Sequence, residues 1–182
     1  TLLLGYWDGE VLMKDSEITR RKVIAFSGML AAPAILRGQQ PSNEIRVAFV
    51  GTGNRGTHLL RTMLKIPGAR IVAVCDIVEE RAQNAARLVA ESGGSARVWT
   101  DFRRMLDEQK DIDAVVQATP DYTHKDVNIA ILEVGKHLYA EKPLALTPED
   151  SYMTVRAAEQ AKGIFQVGFQ LRHDPRRNTA MK

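Results

Sequence analysis

The stretch IRVAFVGTGNRGTHLL, residues 45–60, decides the fold of this 182-residue chain. Residues 45–50 have the composition of a buried strand and run directly into the six-residue turn Gly51-Thr52-Gly53-Asn54-Arg55-Gly56. A strand, a G-x-G-x-x-G turn and a helix in this order form a loop that cradles phosphate groups. Gly51 permits the tight turn, Gly53 leaves bare backbone for a pyrophosphate, and Gly56 lets the helix approach the strand. We therefore predict that these six residues bind an anion at the N-terminus of a helix.

An acidic residue stands where such a loop needs a ribose ligand. Asp76 directly follows the apolar run 71–75 and lies 20 residues beyond Gly56. A carboxylate at this position accepts hydrogen bonds from both adenosine ribose hydroxyls and repels a 2′-phosphate. Ile77 and Val78 follow it, so no adjacent arginine is available to hold such a phosphate. The pattern favours NAD over NADP, and a glycine turn without a ligand is the alternative.

Beyond this loop, short runs rich in Val, Ile and Ala alternate with amphipathic stretches, which is typical of βαβ units around a parallel sheet. We predict six strands, at residues 45–50, 70–75, 97–99, 114–118, 137–140 and 164–168. Short crossovers between them suit a doubly wound α/β sheet of the Rossmann type, with the strand order 3-2-1-4-5-6.

Apolar stripes and capping residues predict the helices between the strands. Two stripes have helical spacing: Val78, Ala82, Ala85 and Val89, then Val127, Ala130, Ile131 and Val134. Both should pack on the sheet. Gly135 stands where a helix ends in a residue of positive φ. The segment 147–150, Thr-Pro-Glu-Asp, supplies an N-cap, a first-turn proline and an acid for the last helix.

Composition and charge exclude several classes of function. The chain is 45% hydrophobic and 26% charged, as ordinary globular proteins are. A single cysteine, Cys75, excludes an internal disulfide and a cysteine-based zinc site, and we interpret it as a core residue. His58 and His137 have no further ligand at metal-binding spacing, so we predict no metal site. Residues 172–182 hold four basic residues and one acid, which accounts for the net charge of +3, so we expect no nucleic-acid partner.

Residues 1–43 differ from the rest and are interpreted as an export signal with a linker. The basic residues 20–22 precede a 14-residue apolar run, 23–36, which contains the small-x-small pattern Ala-Pro-Ala at 32–34. The paired arginines resemble a twin-arginine signal, which predicts a periplasmic or other extracytoplasmic location. An amphipathic helix of a cytoplasmic protein is the alternative. The run is shorter than the roughly 20 residues that span a bilayer, so we expect no membrane anchor there.

Polar residues follow the fourth and fifth predicted strands, whose carboxyl ends border the cleft of such a sheet. The two segments are Thr119-Pro120-Asp121-Tyr122-Thr123-His124 and Glu141-Lys142-Pro143. A lysine that faces a dinucleotide from a strand end can be desolvated and can polarise a substrate hydroxyl or pass on its proton. A solvated surface lysine is the alternative.

Together with the glycine loop and residues 74–76, these segments resemble the Gfo/Idh/MocA superfamily of glucose-fructose oxidoreductases, inositol dehydrogenases and rhizopine-catabolism proteins. The resemblance extends from about residue 45 to residue 175 and includes the segment QVGFQLRHDP at 166–175. It implies a dinucleotide-binding domain at 44–168, the start of a crossover at 169–182, and a second, α+β substrate domain beyond this chain.

The resemblance also implies roles for individual residues. In relatives the lysine that matches Lys142 lies beside the nicotinamide and works with an aspartate and a histidine of the second domain. Lys142 is thus the implied catalytic residue, its partners lie beyond Lys182, and a cis Lys142–Pro143 bond is expected to aim it into the cleft. The residues implied to line the cofactor pocket, some near the nicotinamide or substrate, are Thr119, Pro120, Tyr122, His124, Glu141, Pro143, Gln170 and Arg172.

The function implied is that of an NAD-dependent oxidoreductase acting on a secondary hydroxyl of a sugar, cyclitol or polyol, as a homo-oligomer when full length. One alternative is an NAD-dependent glycosidase of the same superfamily, a branch that departs from Glu-Lys-Pro after the fifth strand. Another is a non-catalytic NAD-binding module. The intact segment 141–143 favours the dehydrogenase.

Overall fold

The protein's structure is a computed structural model that describes residues 44–169. The predicted export signal and the predicted site residues Gln170 and Arg172 lie outside the described residues. Six strands of the described part form one sheet: β1 (Ile45–Val50), β2 (Ala69–Cys75), β3 (Arg97–Trp99), β4 (Ala114–Gln117), β5 (His137–Glu141) and β6 (Phe165–Gly168). All neighbouring pairs are parallel, and the order β3-β2-β1-β4-β5-β6 confirms the predicted doubly wound arrangement.

Helices connect the strands within residues 44–169. They are α1 (Asn54–Met63), α2 (Glu79–Glu91), α3 (Phe102–Glu108), α4 (His124–Glu133) and α5 (Pro148–Gln160), with a short 3₁₀ turn (Asp121–Thr123) before α4. None of these helices has the length and apolar character needed to cross a membrane.

The helices cover both faces of the sheet, which explains the nearly continuous apolar runs of the central strands. On one face, Val47 and Phe49 of β1 pack into a core to which α1 and α2 contribute. On the other face, Ala48 and Val50 pack into a core to which α3 and α4 contribute. Successive side chains of β1 thus pack against two different helical layers, and β1 lies in the interior of the sheet.

Each predicted apolar stripe is exposed at one of its two ends. The buried members are Ala82, Ala85, Val89, Val127 and Ile131. Val78 and Val134 are exposed, because Val78 is the N-cap of α2 and Val134 is the C-cap of α4. Residues at helix boundaries leave the helical path and do not continue its apolar face.

The predicted boundary residues have the expected geometry. Gly135 has a φ of +72° directly after the end of α4. Thr147 Oγ1 accepts a hydrogen bond from the Asp150 backbone nitrogen at 3.1 Å, and Pro148 begins α5. Both helix boundaries are therefore confirmed.

An ion pair joins β1 to the start of β4, at the edge of the sheet opposite the strand carboxyl ends. Arg46 Nε donates to Asp113 Oδ2 at 3.0 Å, and Arg46 Nη2 donates to Asp113 Oδ1 at 2.9 Å. The backbone nitrogens of both residues add a reciprocal pair, Arg46 N to Asp113 Oδ2 and Asp113 N to Arg46 O, each 2.9 Å. Hydrogen bonding from the Arg46 side chain lowers the pKa of Asp113 below its ordinary value.

This lowered pKa predicts a pH-dependent contribution to stability. A carboxylate whose pKa is lower in the folded state stabilises fully above its unfolded value of about 3.9, and the contribution is lost as pH falls through the folded value. We expect Asp113→Asn to lower the urea midpoint of unfolding at neutral pH, and the difference from wild type to shrink below about pH 4. The exposed Asp107→Asn is the control. A difference that persists undiminished in strong acid would contradict this account.

Candidate functional site

The glycine-rich turn 51–56 packs tightly where it leaves β1 and enters α1. Gly51 has a φ of +85°, and a Cβ there would lie 2.7 Å from the backbone of Ala118. A Cβ at Gly56 would lie 1.9 Å from the carbonyl oxygen of Gly51. No side chain fits at either position, so these two glycines set the distance between the turn, α1 and the end of β4.

Gly53 differs because its free side faces open space. Within 4 Å, a Cβ there would meet only a guanidinium nitrogen of Arg81, at 3.9 Å. Gly53 is the N-cap of α1, no described side chain caps this helix start, and the first turn contains no acid. Backbone amides without helical partners and the positive end of the helix dipole therefore meet beside bare backbone. This arrangement suits a bound phosphate group.

Asp76 is held rigidly beside this loop. Its Oδ2 accepts hydrogen bonds from Thr52 N at 2.8 Å and Thr52 Oγ1 at 3.3 Å, and its Oδ1 accepts one from Val78 N at 2.9 Å. Only 7% of Asp76 is exposed. A carboxylate oxygen has more than one lone pair, so both oxygens keep acceptor capacity for a ligand. The carboxylate thus braces the loop and remains able to bind a pair of hydroxyls.

A cavity of about 420 Å³ opens at the carboxyl ends of the strands, where β1 and β4 mark the change in winding direction. Open α/β sheets bind ligands at this switch point. Eight predicted site residues line the cavity: Gly51, Gly53, Asn54, Arg55, Asp76, Thr119, Pro120 and Tyr122. Six others in the described part do not line it: Thr52, Gly56, His124, Glu141, Lys142 and Pro143.

Several residues that line the cavity were not predicted from the sequence. They are Ile77, Arg81, Thr100, Phe102 and Arg103. Thr100 and its neighbours follow β3, whose carboxyl end lies at the same edge as those of β4 and β5, so the strand-end rule could have found them. Arg81 and Arg103 come from helices, and no local pattern of the sequence placed them at this cavity.

His124 is buried and contacts the segments that follow two neighbouring strands. It is fully buried, its Nε2 is 2.9 Å from the Thr119 carbonyl oxygen, and its Nδ1 is 2.5 Å from the Pro143 carbonyl oxygen. Thr119 follows β4 and Pro143 follows β5. His124 therefore connects the two strand ends, and a direct contact with a ligand remains a prediction.

The segment Glu141-Lys142-Pro143 has a buried first residue and an exposed second one. Glu141 is 5% exposed, and its Oε1 lies 2.6 Å from Arg55 Nη2. The expected cis Lys142–Pro143 bond is confirmed. Lys142 is exposed among the described residues. The catalytic role of Lys142 therefore remains a prediction.

Other reactive side chains lack the features of catalytic groups. Burial raises the pKa of the Cys75 thiol to about 12, so this thiol is protonated at neutral pH. His58 is exposed, and His137 Nδ1 accepts a hydrogen bond from Ile164 N at 3.0 Å. Within residues 44–169, no group of three or more His, Cys, Asp or Glu side chains has the arrangement of a metal site.

Known proteins that are similar to this chain share the fold described above. The model of an oxidoreductase family with an NAD-binding Rossmann fold, Gfo/Idh/MocA, matches residues 45–169. Over 134 residues the chain is 36% identical to scyllo-inositol 2-dehydrogenase (NAD(+)) of Bacillus subtilis, covering 73% of this chain and 38% of that protein. Over 126 residues it is 32% identical to glycosyl hydrolase family 109 protein 1 of Bacteroides thetaiotaomicron, covering 65% and 26%.

Among solved structures, the chain resembles myo-inositol dehydrogenase from Lactobacillus casei in complex with NAD(H) and myo-inositol. The TM-score is 0.66, the sequences are 32% identical, and the match covers 72% of this chain and 38% of that one. The chain thus spans between about a quarter and two-fifths of the length of these relatives.

The glycine geometry predicts losses of different size for two matched substitutions. Gly56→Ala places a Cβ 1.9 Å from a carbonyl oxygen, so we expect a loss of about 1–3 kcal/mol or more in unfolding free energy. Gly53→Ala meets no close neighbour and replaces only the N-cap glycine of α1, so we expect a smaller loss, of about 1 kcal/mol or less. Urea denaturation of both variants measures this. Equal stability of the two variants would show that the close packing of the turn is not rigid.

Proposed function

We propose that this chain, which belongs to the Gfo/Idh/MocA family of oxidoreductases, is the cofactor-binding part of an NAD-dependent oxidoreductase. Its reaction is hydride transfer between nicotinamide and a secondary hydroxyl of a sugar, cyclitol or polyol. The family membership supports the class of reaction. The arrangement of the cleft supports the role of this part of the protein.

One observation carries the proposal: bare backbone at Gly53 and a braced carboxylate at Asp76 border the same cavity. The first suits a pyrophosphate, and the second suits the adenosine ribose diol. Because neither group needs to move, the residues fit a dinucleotide that extends along the carboxyl edge of the sheet from β2 toward β4.

The cofactor we propose is NAD rather than NADP. The Asp76 carboxylate would be placed against a 2′-phosphate, and three hydrogen bonds from Thr52 and Val78 hold it in position. Arg81 and Arg103 also line this cavity, so positive charge is present although no arginine adjoins Asp76 in sequence. The discrimination therefore depends on the carboxylate rather than on a lack of cations. The NAD-dependence named for the relatives supports the same choice.

Lys142 is the residue of this chain that we assign to the reaction. Bound NAD would supply the hydride acceptor. The ammonium group of Lys142 can donate a hydrogen bond to the substrate oxygen and favour loss of the hydroxyl proton. The family resemblance implies that the proton-accepting aspartate and histidine lie beyond Lys182. In the proposed reaction, therefore, this chain holds the cofactor and polarises the hydroxyl, and the second domain completes the site.

The substrate class rests on the relatives and includes cyclitols, since the Bacillus subtilis and Lactobacillus casei proteins are named as inositol dehydrogenases. A glycosidase is the second candidate, because the Bacteroides thetaiotaomicron relative is named as a glycosyl hydrolase. The intact segment 141–143 favours the dehydrogenase. We further propose export through the twin-arginine-type signal within residues 1–43 and a homo-oligomeric full-length protein.

Cofactor preference is tested by calorimetric titration of the full-length protein. We expect NAD to bind at least about tenfold more tightly than NADP, because a buried carboxylate beside a phosphate costs more than about 1.4 kcal/mol. Asp76→Asn should narrow this ratio by removing the charge that repels the phosphate. Asp107→Asn is the exposed control. NADP binding as tight as NAD binding in the wild type would overturn the assignment of Asp76.

The reaction is tested with NAD and a panel of polyols and aryl glycosides, following reduced nicotinamide and released phenol together. We expect the full-length protein to reduce NAD with a polyol, and Lys142→Ala to lower the rate about 10²- to 10⁴-fold. The exposed Lys65→Ala is the control. The 182-residue chain should bind NAD weakly and not turn over. Phenol release without net reduction would indicate the glycosidase, and binding without either reaction would indicate a non-catalytic module.

A further inference from the structure

The first turn of α1 is connected by an ion pair to the strand end that carries Lys142. Arg55 Nε donates to Glu141 Oε1 at 2.8 Å, and Arg55 Nη2 lies 2.6 Å from the same oxygen. The Glu141 side chain is 6% exposed and that of Arg55 is 40% exposed. A buried carboxylate needs charge-assisted hydrogen bonds, so this contact is a strong local constraint.

The contact spans an unusual distance in the sheet. Arg55 belongs to the turn that follows β1, and Glu141 ends β5, with β4 between these two strands. Strands lie about 4.8 Å apart, so the two strand ends are roughly 10 Å from each other. Only a long side chain connects them directly. Arg55 therefore fixes the end of β5 relative to the glycine turn.

Tyr139 of β5 lies near the same contact. It stands two residues before Glu141, on the same side of the strand, and Arg55 is among the charged groups that act on the pKa of its hydroxyl. Burial and the charge of Glu141 raise this pKa, so the hydroxyl keeps its proton near neutral pH. The Arg55 guanidinium group thus lies near two polar side chains of one strand, and it forms an ion pair with Glu141.

The residues on either side of Lys142 are both anchored. Glu141 is held by Arg55, and the Pro143 carbonyl oxygen lies 2.5 Å from the buried His124 ring. Lys142 itself is exposed. Its backbone position is therefore set by its two neighbours. Glu141 is attached to the glycine turn through Arg55, and Pro143 is attached to the buried His124.

We propose that Arg55 is a positioning residue for Lys142, which it fixes relative to the glycine turn through its ion pair with Glu141. This inference rests on the proposed function. Because the same turn is expected to hold the pyrophosphate, one short segment would set the positions of both the cofactor and the lysine. A misplacement of about 1 Å in such a group can lower a rate about 10²-fold.

The test uses Arg55→Met, Glu141→Gln, the double variant and Arg55→Lys in the full-length protein. Arg61→Met, an exposed position in the last turn of α1, is the matched control. We expect Arg55→Met and Glu141→Gln each to lower kcat at least about tenfold. The kcat of the double variant should be no lower than that of either of these two variants, because the pair acts as a unit. Glu141→Gln should leave the NAD Kd within about threefold, since Glu141 does not line the cavity. Arg55→Lys should recover part of the rate.

A second readout does not depend on turnover. In ¹⁵N relaxation of the 182-residue chain, the Lys142 amide should have an order parameter near 0.85 in the wild type and the control. It should fall toward about 0.6 in Glu141→Gln and Arg55→Met. Urea midpoints identify any variant that has lost its fold. If Arg55→Met is such a variant, the Lys142 order parameter in Glu141→Gln tests the inference, because glutamine keeps the shape of the glutamate side chain.

The outcomes separate this inference from the proposed function. If the wild-type protein does not reduce NAD, the proposed function is wrong. The order parameter of the Lys142 amide then tests by itself whether Arg55 positions Lys142. An active wild type with unchanged kcat and an unchanged Lys142 amide in both single variants would overturn the inference alone. A loss of kcat in Glu141→Gln that is matched by an equal loss of NAD affinity would also overturn it, because Glu141 would then act on the cofactor directly.

Discussion

The structure depends on the close approach of two glycines to the backbone around them. Gly51 and Gly56 leave no space for a Cβ against Ala118 and the Gly51 carbonyl oxygen. This approach brings α1 over the end of β1 and brings the turn against the segment that follows β4. Because β1 packs into both apolar cores, the turn is attached to a strand that is buried on both faces of the sheet. A flexible loop elsewhere on the surface would not place its amides with this accuracy.

The remaining parts of the cleft are arranged around that turn by three long-range contacts. Asp76 at the end of β2 accepts hydrogen bonds from Thr52, and Arg55 reaches Glu141 at the end of β5. His124 connects the segments that follow β4 and β5. The Thr52–Asp76, Arg55–Glu141 and His124–Pro143 contacts join residues 24, 86 and 19 positions apart in sequence. Polar contacts therefore hold the carboxyl edge of the sheet together, whereas the two apolar cores lie on its faces.

Much of this was predictable from local patterns, because strand, turn and capping residues act through their immediate neighbours. The bounds of β1 and β3, the positive φ of Gly135 and the N-cap at Thr147 follow from such signals. The exposure of Val78 did not, since an apolar stripe does not show where its helix begins. Arg81 and the burial of His124 also escaped sequence reasoning. Their positions depend on how helices from different parts of the chain pack on the sheet, and a single sequence carries no direct signal of that packing.

The central claim is that the glycine turn and Asp76 together hold one dinucleotide at the switch point of the sheet. The most direct measurement is a crystal structure of the full-length protein with NAD. We expect pyrophosphate oxygens within about 3 Å of backbone nitrogens of residues 53–56, and both adenosine ribose hydroxyls at hydrogen-bond distance from the Asp76 carboxylate. A dinucleotide bound away from the turn, or a ribose that does not contact Asp76, would contradict it.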